Sequence, residues 1–455
     1  MVDYFKLSRF FIYLVPLAII FVTPSTLFPF IVGKYVWFRT VTDIALITFL
    51  VGLLISPDAK KYEERLKAVF RSKLTLIVSI FTVVFVLAGF FGVAPQASFW
   101  SNFERGEGGF QLIHLYILFV LLSVLFEREH WHTIFRVSLV AAVIMILYGT
   151  AAAAQIGGFI GPYRSAVTGE LVAPTIWGRL TTERFHGSLG NSAYVSVYLI
   201  FILFYALHLF IEAKVAWRKF VLAGLMILYF LFFWLAQTRG TFMGFLAAVF
   251  VGGVYFIFTS KGSFRRWGAI ALGMLIVAGA AMFSARDSAF VKSLPGSRVL
   301  HFTLSEASPR FWTWGSAIKG WKERPILGWG PENFSVVFDK YFDPRHFVPG
   351  KSTETWFDRA HSIYFDYLAE TGVIGLSSFL AIFVVLYWLI IKSRNNGSSP
   401  FAGLSPFQQA AVVAIPVTYL VQGIVLFDIL PTYLNLFLLF GFINYLTNDF
   451  SADHA

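Results

Sequence analysis

Twelve apolar runs, each close to the length that crosses a bilayer's hydrocarbon, dominate this sequence. They fall at residues 10–30, 36–55, 74–94, 110–126, 133–154, 193–211, 220–236, 241–258, 267–283, 372–391, 410–427 and 429–446. In lipid every backbone N–H and C=O must find a partner within the chain, so runs of this length read as helices. With 57% hydrophobic and only 13% charged residues, the chain has too little polar surface to cover a water-soluble fold. The expectation is an all-α polytopic membrane protein with about twelve transmembrane helices. Lys6 and Arg9 flank the first run as in a signal peptide, yet no Ala-x-Ala site follows, which predicts an uncleaved first span.

An even number of spans puts both termini on one side, and the basic residues indicate which. If that side is the cytoplasm, its segments hold Lys6, Arg9, Lys60, Lys61, Arg65, Lys67, Arg71, Lys73, Arg128, Arg136, Lys214, Arg218, Lys219, Lys261, Arg265, Arg266, Lys392 and Arg394. The short loops opposite hold Lys34, Arg39, Arg105, Arg164, Arg179, Arg184 and Arg239. Eighteen against seven predicts cytoplasmic termini in a multi-pass plasma membrane protein. The net charge of +11 is mostly this bias, which attracts anionic head groups, so membrane lipids rather than nucleic acid are the expected partner. Cysteine is absent, which removes disulfides, thiolate metal sites and a Cys nucleophile. There is no Asp-x-Asp, no phosphate-binding Gly-rich loop ending in Lys-Ser/Thr and no His-Glu-x-x-His. Sugar-nucleotide, ATP-driven and zinc-hydrolase chemistries therefore lack their motifs, and no cofactor is implied.

The runs divide the chain into a bundle of nine spans (1–283), a large outer loop (284–360) and three last spans (361–455). A second outer segment, 155–192, is also longer than a connector needs to be. Within the large loop Ser308 can cap a helix that Pro309 starts. Phe311, Trp314, Ile318 and Trp321 then recur on one side of it, as in an amphipathic helix lying on the membrane or closing over the bundle.

Four separated side chains converge on the predicted outer face: Arg184, Arg239, Arg310 and His361. Arg239 sits in a turn so short that its guanidinium stays near hydrocarbon, where an unpaired cation costs about 2.5–3.5 kcal/mol. The plain alternative is an arginine that snorkels or caps carbonyls. The guanidinium fork suits phosphate, and several forks at the membrane surface can hold a lipid-linked pyrophosphate without a metal. His361, at a helix start and beside arginines, is expected to be neutral and able to take a proton from a hydroxyl. Glu370 and Asp366 on the same helix can orient it or bind substrate hydroxyls, or serve the helix end. Trp312, Trp314, Trp329 and Trp356 can stack on sugars or pack the core. Asp339 and Asp343 read as a solvated helix face, and the His130-Trp131-His132 run lacks the spacing of a zinc site.

The stretch GWKERPILGWGPENF, followed after a gap by HSIYFDYLAETGVIGLSSFL, resembles the O-antigen ligase and polymerase superfamily of bacterial membranes. An RFHGSLGN element before one span and a TRG turn between two others complete the resemblance, over roughly residues 184–380. It implies a glycosyltransferase fold of the C type. The implied reaction moves a glycan from an undecaprenyl-pyrophosphate carrier to a glycan, lipid-linked or protein hydroxyl on the outer face, independently of metal. By motif, Arg239 and Arg310 would bind the pyrophosphate, His361 would be the base, and Arg184 would contact phosphate or acceptor. One departure is that the run closing the RFHGSLGN element reads Gly190-Asn191-Ser192 rather than Asn-Pro-Asn or Asn-Asn. A transporter or flippase of lipid-linked sugars is the alternative, although transporters show paired halves and this chain's large loop has no counterpart.

Overall fold

The computed structural model describes residues 2–102, 105–165, 168–294, 297–301, 304–347, 355–395, 397 and 399–448. Parts of the large outer loop and of the 395–400 turn therefore lie outside the described residues. The protein is α-helical, with one isolated bridge between Arg164 and Leu171 among the described residues.

Every apolar run has a helix over most or part of its length. The chain opens with α1 (Tyr4–Leu14), α2 (Val32–Ile55), α3 (Ala59–Arg71), α4 (Lys73–Phe90), α5 (Pro95–Trp100) and α6 (Gly109–Leu125). It continues with α7 (Arg128–Ala153), α8 (Ile176–Thr182), α9 (Ser192–Glu212), α10 (Ala216–Leu235), α11 (Arg239–Thr259) and α12 (Gly262–Ser284). The outer loop contributes α13 (Ala289–Ser293), α14 (Leu304–Glu323) and α15 (Phe334–Lys340), and the chain ends with α16 (Ile363–Arg394), α17 (Pro406–Gln422) and α18 (Leu430–Thr447).

Among the described residues nine helices are long and apolar enough to cross a membrane. The other three runs lie on shorter helix. α6 and α17 have 17 residues each, and the first run departs further from its expected bounds. It is helical from Tyr4, passes into a 3-10 segment at Val15–Ile20 and is non-helical beyond. Pro16 has no N–H to continue the α ladder, and Pro24 and Pro29 block its resumption. The two pieces together still rise roughly 28 Å, near a bilayer's hydrocarbon thickness.

Burial sorts the helices. α18 is buried on every side, while α12 buries nothing and turns Phe264, Trp267, Met274 and Val277 outward, as a helix at the lipid boundary does. Polar side chains inside the bundle bond across helices: Ser72 Oγ donates to Asn444 Oδ1 (2.7 Å), and Tyr205 donates to Asn435 Oδ1 (3.0 Å). The start of α1, the amphipathic α3 and the end of α18 share one end of the bundle, with Arg9 donating to the Tyr62 hydroxyl (2.9 Å). α3 buries Tyr62 and Val69 and leaves its lysines exposed.

The expected start of α14 needs correction. Ser308 and Pro309 do not open it, because the helix begins at Leu304 and Pro309 lies inside. The fixed φ of proline is already helical, so continuing through it sacrifices one backbone bond. Its buried side is made of the small residues Thr313, Ser316, Ala317 and Gly320, whereas Phe311 and Ile318 of the apolar stripe are exposed.

The two stretches that carried the resemblance pack on each other. Trp329 and Gly330 donate to the Ala369 and Glu370 carbonyls (3.0 and 2.8 Å), and Val373 donates to Pro325 (2.9 Å). α16 breaks at Gly372, whose φ of +64° is left-handed and whose absent Cβ would lie 2.3 Å from the Ile326 oxygen. Gly372→Ala is expected to destabilise the protein by about 2 kcal/mol or more, read as a lowered unfolding temperature in detergent.

Candidate active site

Four arginines meet where α9 and α11 begin. Arg239 is the first residue of α11, after a link in which Gln237 takes a φ of +47°. Its Nε donates to the Arg298 carbonyl (3.1 Å), so carbonyl capping is part of what it does. Arg184 is bound to the same link, with Nε on the Ala236 carbonyl (3.3 Å) and Nη2 on Thr238 Oγ1 (2.9 Å). Beside it Phe185 is fully buried against Phe232 and donates its N–H to Leu235 (3.1 Å). Burial, followed by the charges of Arg298, Arg239 and Arg310, pushes the Arg184 guanidinium down to about 10. It remains cationic at neutral pH, and so much positive charge together is relieved by an anion. Arg310, half-buried on α14, completes the group.

Sequence reasoning missed Arg298. It lies in a 3-10 turn, Ser297–Leu300, that packs on α11, and no motif surrounds it. The Gly190-Asn191-Ser192 departure has a local purpose: Gly190 takes a φ of +73°, and Asn191 caps α9 by accepting from the Ala193 N–H (2.8 Å).

His361 stands two residues before α16, at a φ of +56°. Its Nδ1 lies 3.2 Å from the Arg359 carbonyl, which makes Nδ1 the protonated nitrogen and leaves Nε2 with its lone pair. The ring is held edge-on between Phe357 (5.3 Å) and Phe427 (5.1 Å). Burial pushes its pKa down to about 4; Arg310 and Arg105 add to this, while the Arg359 carbonyl and Asp358 oppose it. The imidazole is therefore neutral at physiological pH, as expected, and electrostatically coupled to Arg310.

What fixes His361 is a buried ionic network, of which the sequence singles out Glu370 and Asp366 but not Arg105, Glu107, Glu332, Asp358 or Arg359. Arg105 grips Asp358 with two bonds (2.7 and 3.0 Å) and lies over the Phe427 ring (4.6 Å). Burial alone would raise the Asp358 carboxyl, but the Arg105 fork holds it below its ordinary value. Arg359 pairs with Glu332 and lies within 3.5 Å of Glu370 and 3.6 Å of Glu107. Burial works against its charge, and these carboxylates more than offset that, raising it well above the usual value. The Ala360 N–H donates to Asp366 Oδ1 (2.6 Å), and the Trp314 indole donates to the Ala360 carbonyl (3.0 Å). Residues 358–360 are thus tied to four separate segments immediately before the histidine.

The remaining candidates find other surroundings. Glu370 is 2% exposed and engaged with Arg359. Trp329 is 4% exposed, with its indole on the Gly320 carbonyl (2.8 Å). Trp314 is half-buried and stacked on Phe365 (4.9 Å). These placements suit packing and positioning better than sugar contact. Beside the network a small pocket is lined by Lys34, Arg105, Glu107 and Tyr194 and by the apolar Phe30, Leu189, Leu430 and Pro431. Burial pushes the Glu107 carboxyl up to about 8 against the pull of Arg359 and Arg105. Its Oε2 is buried with no hydrogen-bond partner among the described residues.

No curated protein matches the chain. Residues 224–380 match the family model described as O-antigen ligase, a stretch that contains Arg239, Arg298, Arg310 and His361 but not Arg184 or Arg105. This match covers about a third of the chain and, on a polytopic helical bundle whose two motif stretches interlock, supports its similarity to the O-antigen ligase and polymerase superfamily.

Proposed function

We propose that the protein is a C-type glycosyltransferase acting on the outer face of a bacterial plasma membrane, with both termini cytoplasmic. It moves a glycan from undecaprenyl pyrophosphate to an acceptor hydroxyl. The observation that carries this reading is the convergence of Arg184, Arg239, Arg298 and Arg310 beside a neutral imidazole. The eighteen basic residues at the opposite end of the bundle support the orientation.

In the reaction the acceptor oxygen attacks the anomeric carbon, and the bond from that carbon to the pyrophosphate oxygen breaks. The hydroxyl proton passes to Nε2 of His361, whose Nδ1 proton is directed at the Arg359 carbonyl. Charge develops on the departing pyrophosphate, where the guanidinium groups stabilise it without a metal ion.

Two measurements test this reading. With purified protein in detergent, lipid-linked donor and a panel of acceptors, glycan should leave the carrier only when an acceptor is present. A transporter would leave the donor intact and translocate it in vesicles. Because burial depresses the free imidazole to about 4, kcat/KM should stay level from pH 8 to about 5 and fall only as His361 protonates below that. An acid limb near 6.5, the ordinary histidine value, would contradict the assignment.

A further inference from the structure

We propose that His132, His208 and Glu212 bind a divalent transition cation of the zinc class at the end of the bundle away from the arginines. The His130-Trp131-His132 run lacked zinc spacing in sequence, but the fold supplies the missing ligands from another helix. His132 lies in the second turn of α7, and His208 and Glu212, four apart, share one face of the last turns of α9. Arg184 and Arg239 stand at the other end of α9, roughly 30 Å away along its 21 residues.

The donor geometry is close to what the metal needs. His132 Nε2 lies 2.7 Å from Glu212 Oε2, His208 Nε2 lies 3.7 Å from Glu212 Oε1, and the three ligand atoms are all within 4.8 Å of one another. A tetrahedral zinc with bonds of about 2.0–2.1 Å spaces its ligands roughly 3.3 Å apart, so small side-chain adjustments complete the set. Two imidazoles and a carboxylate suit zinc.

The surroundings hold the ligands in place. His208 is 5% exposed, with Phe135 and Phe442 edge-on to its ring (5.7 and 5.2 Å). Gln408 Nε2 (3.4 Å) and Arg128 Nη2 (2.9 Å) bond Glu212 from outside. Arg128 is 71% exposed on a flexible stem and can yield its place on Glu212, which would free a fourth position. Such a site would clamp α7 to α9 and is independent of the transfer chemistry.

The test uses the full chain in detergent, stripped with chelator and titrated with Zn²⁺. Metal content after dialysis and thermal unfolding are both read. About one zinc per chain should be retained with micromolar or tighter affinity, and the unfolding temperature should rise with zinc. His208→Ala and the gentler His132→Gln should each lose the retained metal and the zinc-dependent shift. Wild-type protein that retains no zinc, or variants that retain as much as wild type, would overturn the site and leave a hydrogen-bonded clamp.

Discussion

His361→Asn is expected to lower the rate of glycan transfer by about 10²–10⁴-fold, the range that a positioned general base supplies. Asparagine tolerates left-handed backbone better than most residues, so it respects the φ of +56° at this position while removing the basic nitrogen. The donor should still bind, because the arginines proposed to hold its pyrophosphate are untouched. The measurement is a single-turnover rate beside a donor-binding isotherm. A large loss of rate with unchanged donor affinity separates proton transfer from folding or binding. A variant that turns over at the wild-type rate would remove His361 from the chemistry.

Arg239→Lys keeps the charge and loses the fork, and it is expected to lower kcat by about 10²–10³-fold, as loss of one oxyanion donor does. The Nε contact to the Arg298 carbonyl uses one arm of a planar fork that lysine lacks. A guanidinium can hold that carbonyl with one nitrogen and present others to phosphate, whereas an ammonium is a point charge on a flexible stem. Steady-state kinetics with the lipid-linked donor check this, with Arg298→Lys alongside. If Arg298 belongs to the cluster functionally, it should show a loss of the same order. Wild-type kinetics in Arg239→Lys would mean that charge alone suffices.

The helices were legible because apolar length is written continuously along the chain. Most of the apolar runs lie on helix, and the corrections came where local chemistry competes with that pattern. Pro16 converts the end of α1 to a 3-10 segment, and α14 runs through Pro309 where a helix start was expected. Arg184 and Arg239 stand out because they are cations in the segments that border apolar runs, and Arg310 and His361 because they open helical patterns beside the motif stretches. Arg298 does not, since it sits in an unpatterned turn. The network of Arg105, Glu107, Glu332 and Arg359 was invisible for a related reason: its members are far apart in sequence and meet only when the segments that carry them fold together. Removing one partner from such a buried pair costs about 3–5 kcal/mol, so these residues are better read as fixing the His361 loop than as reacting. The ligand set of His132, His208 and Glu212 shows the same limit, since two helices share it.

The most direct measurement is release of undecaprenyl pyrophosphate by the purified protein, in EDTA, with and without acceptor, with His361→Asn and His132→Gln alongside. The account predicts release that requires acceptor, survives chelation and fails in His361→Asn. His132→Gln separates any chelator effect on stability from one on chemistry. Release without an acceptor, or acceptor-dependent release that continues undiminished in folded His361→Asn, would contradict it.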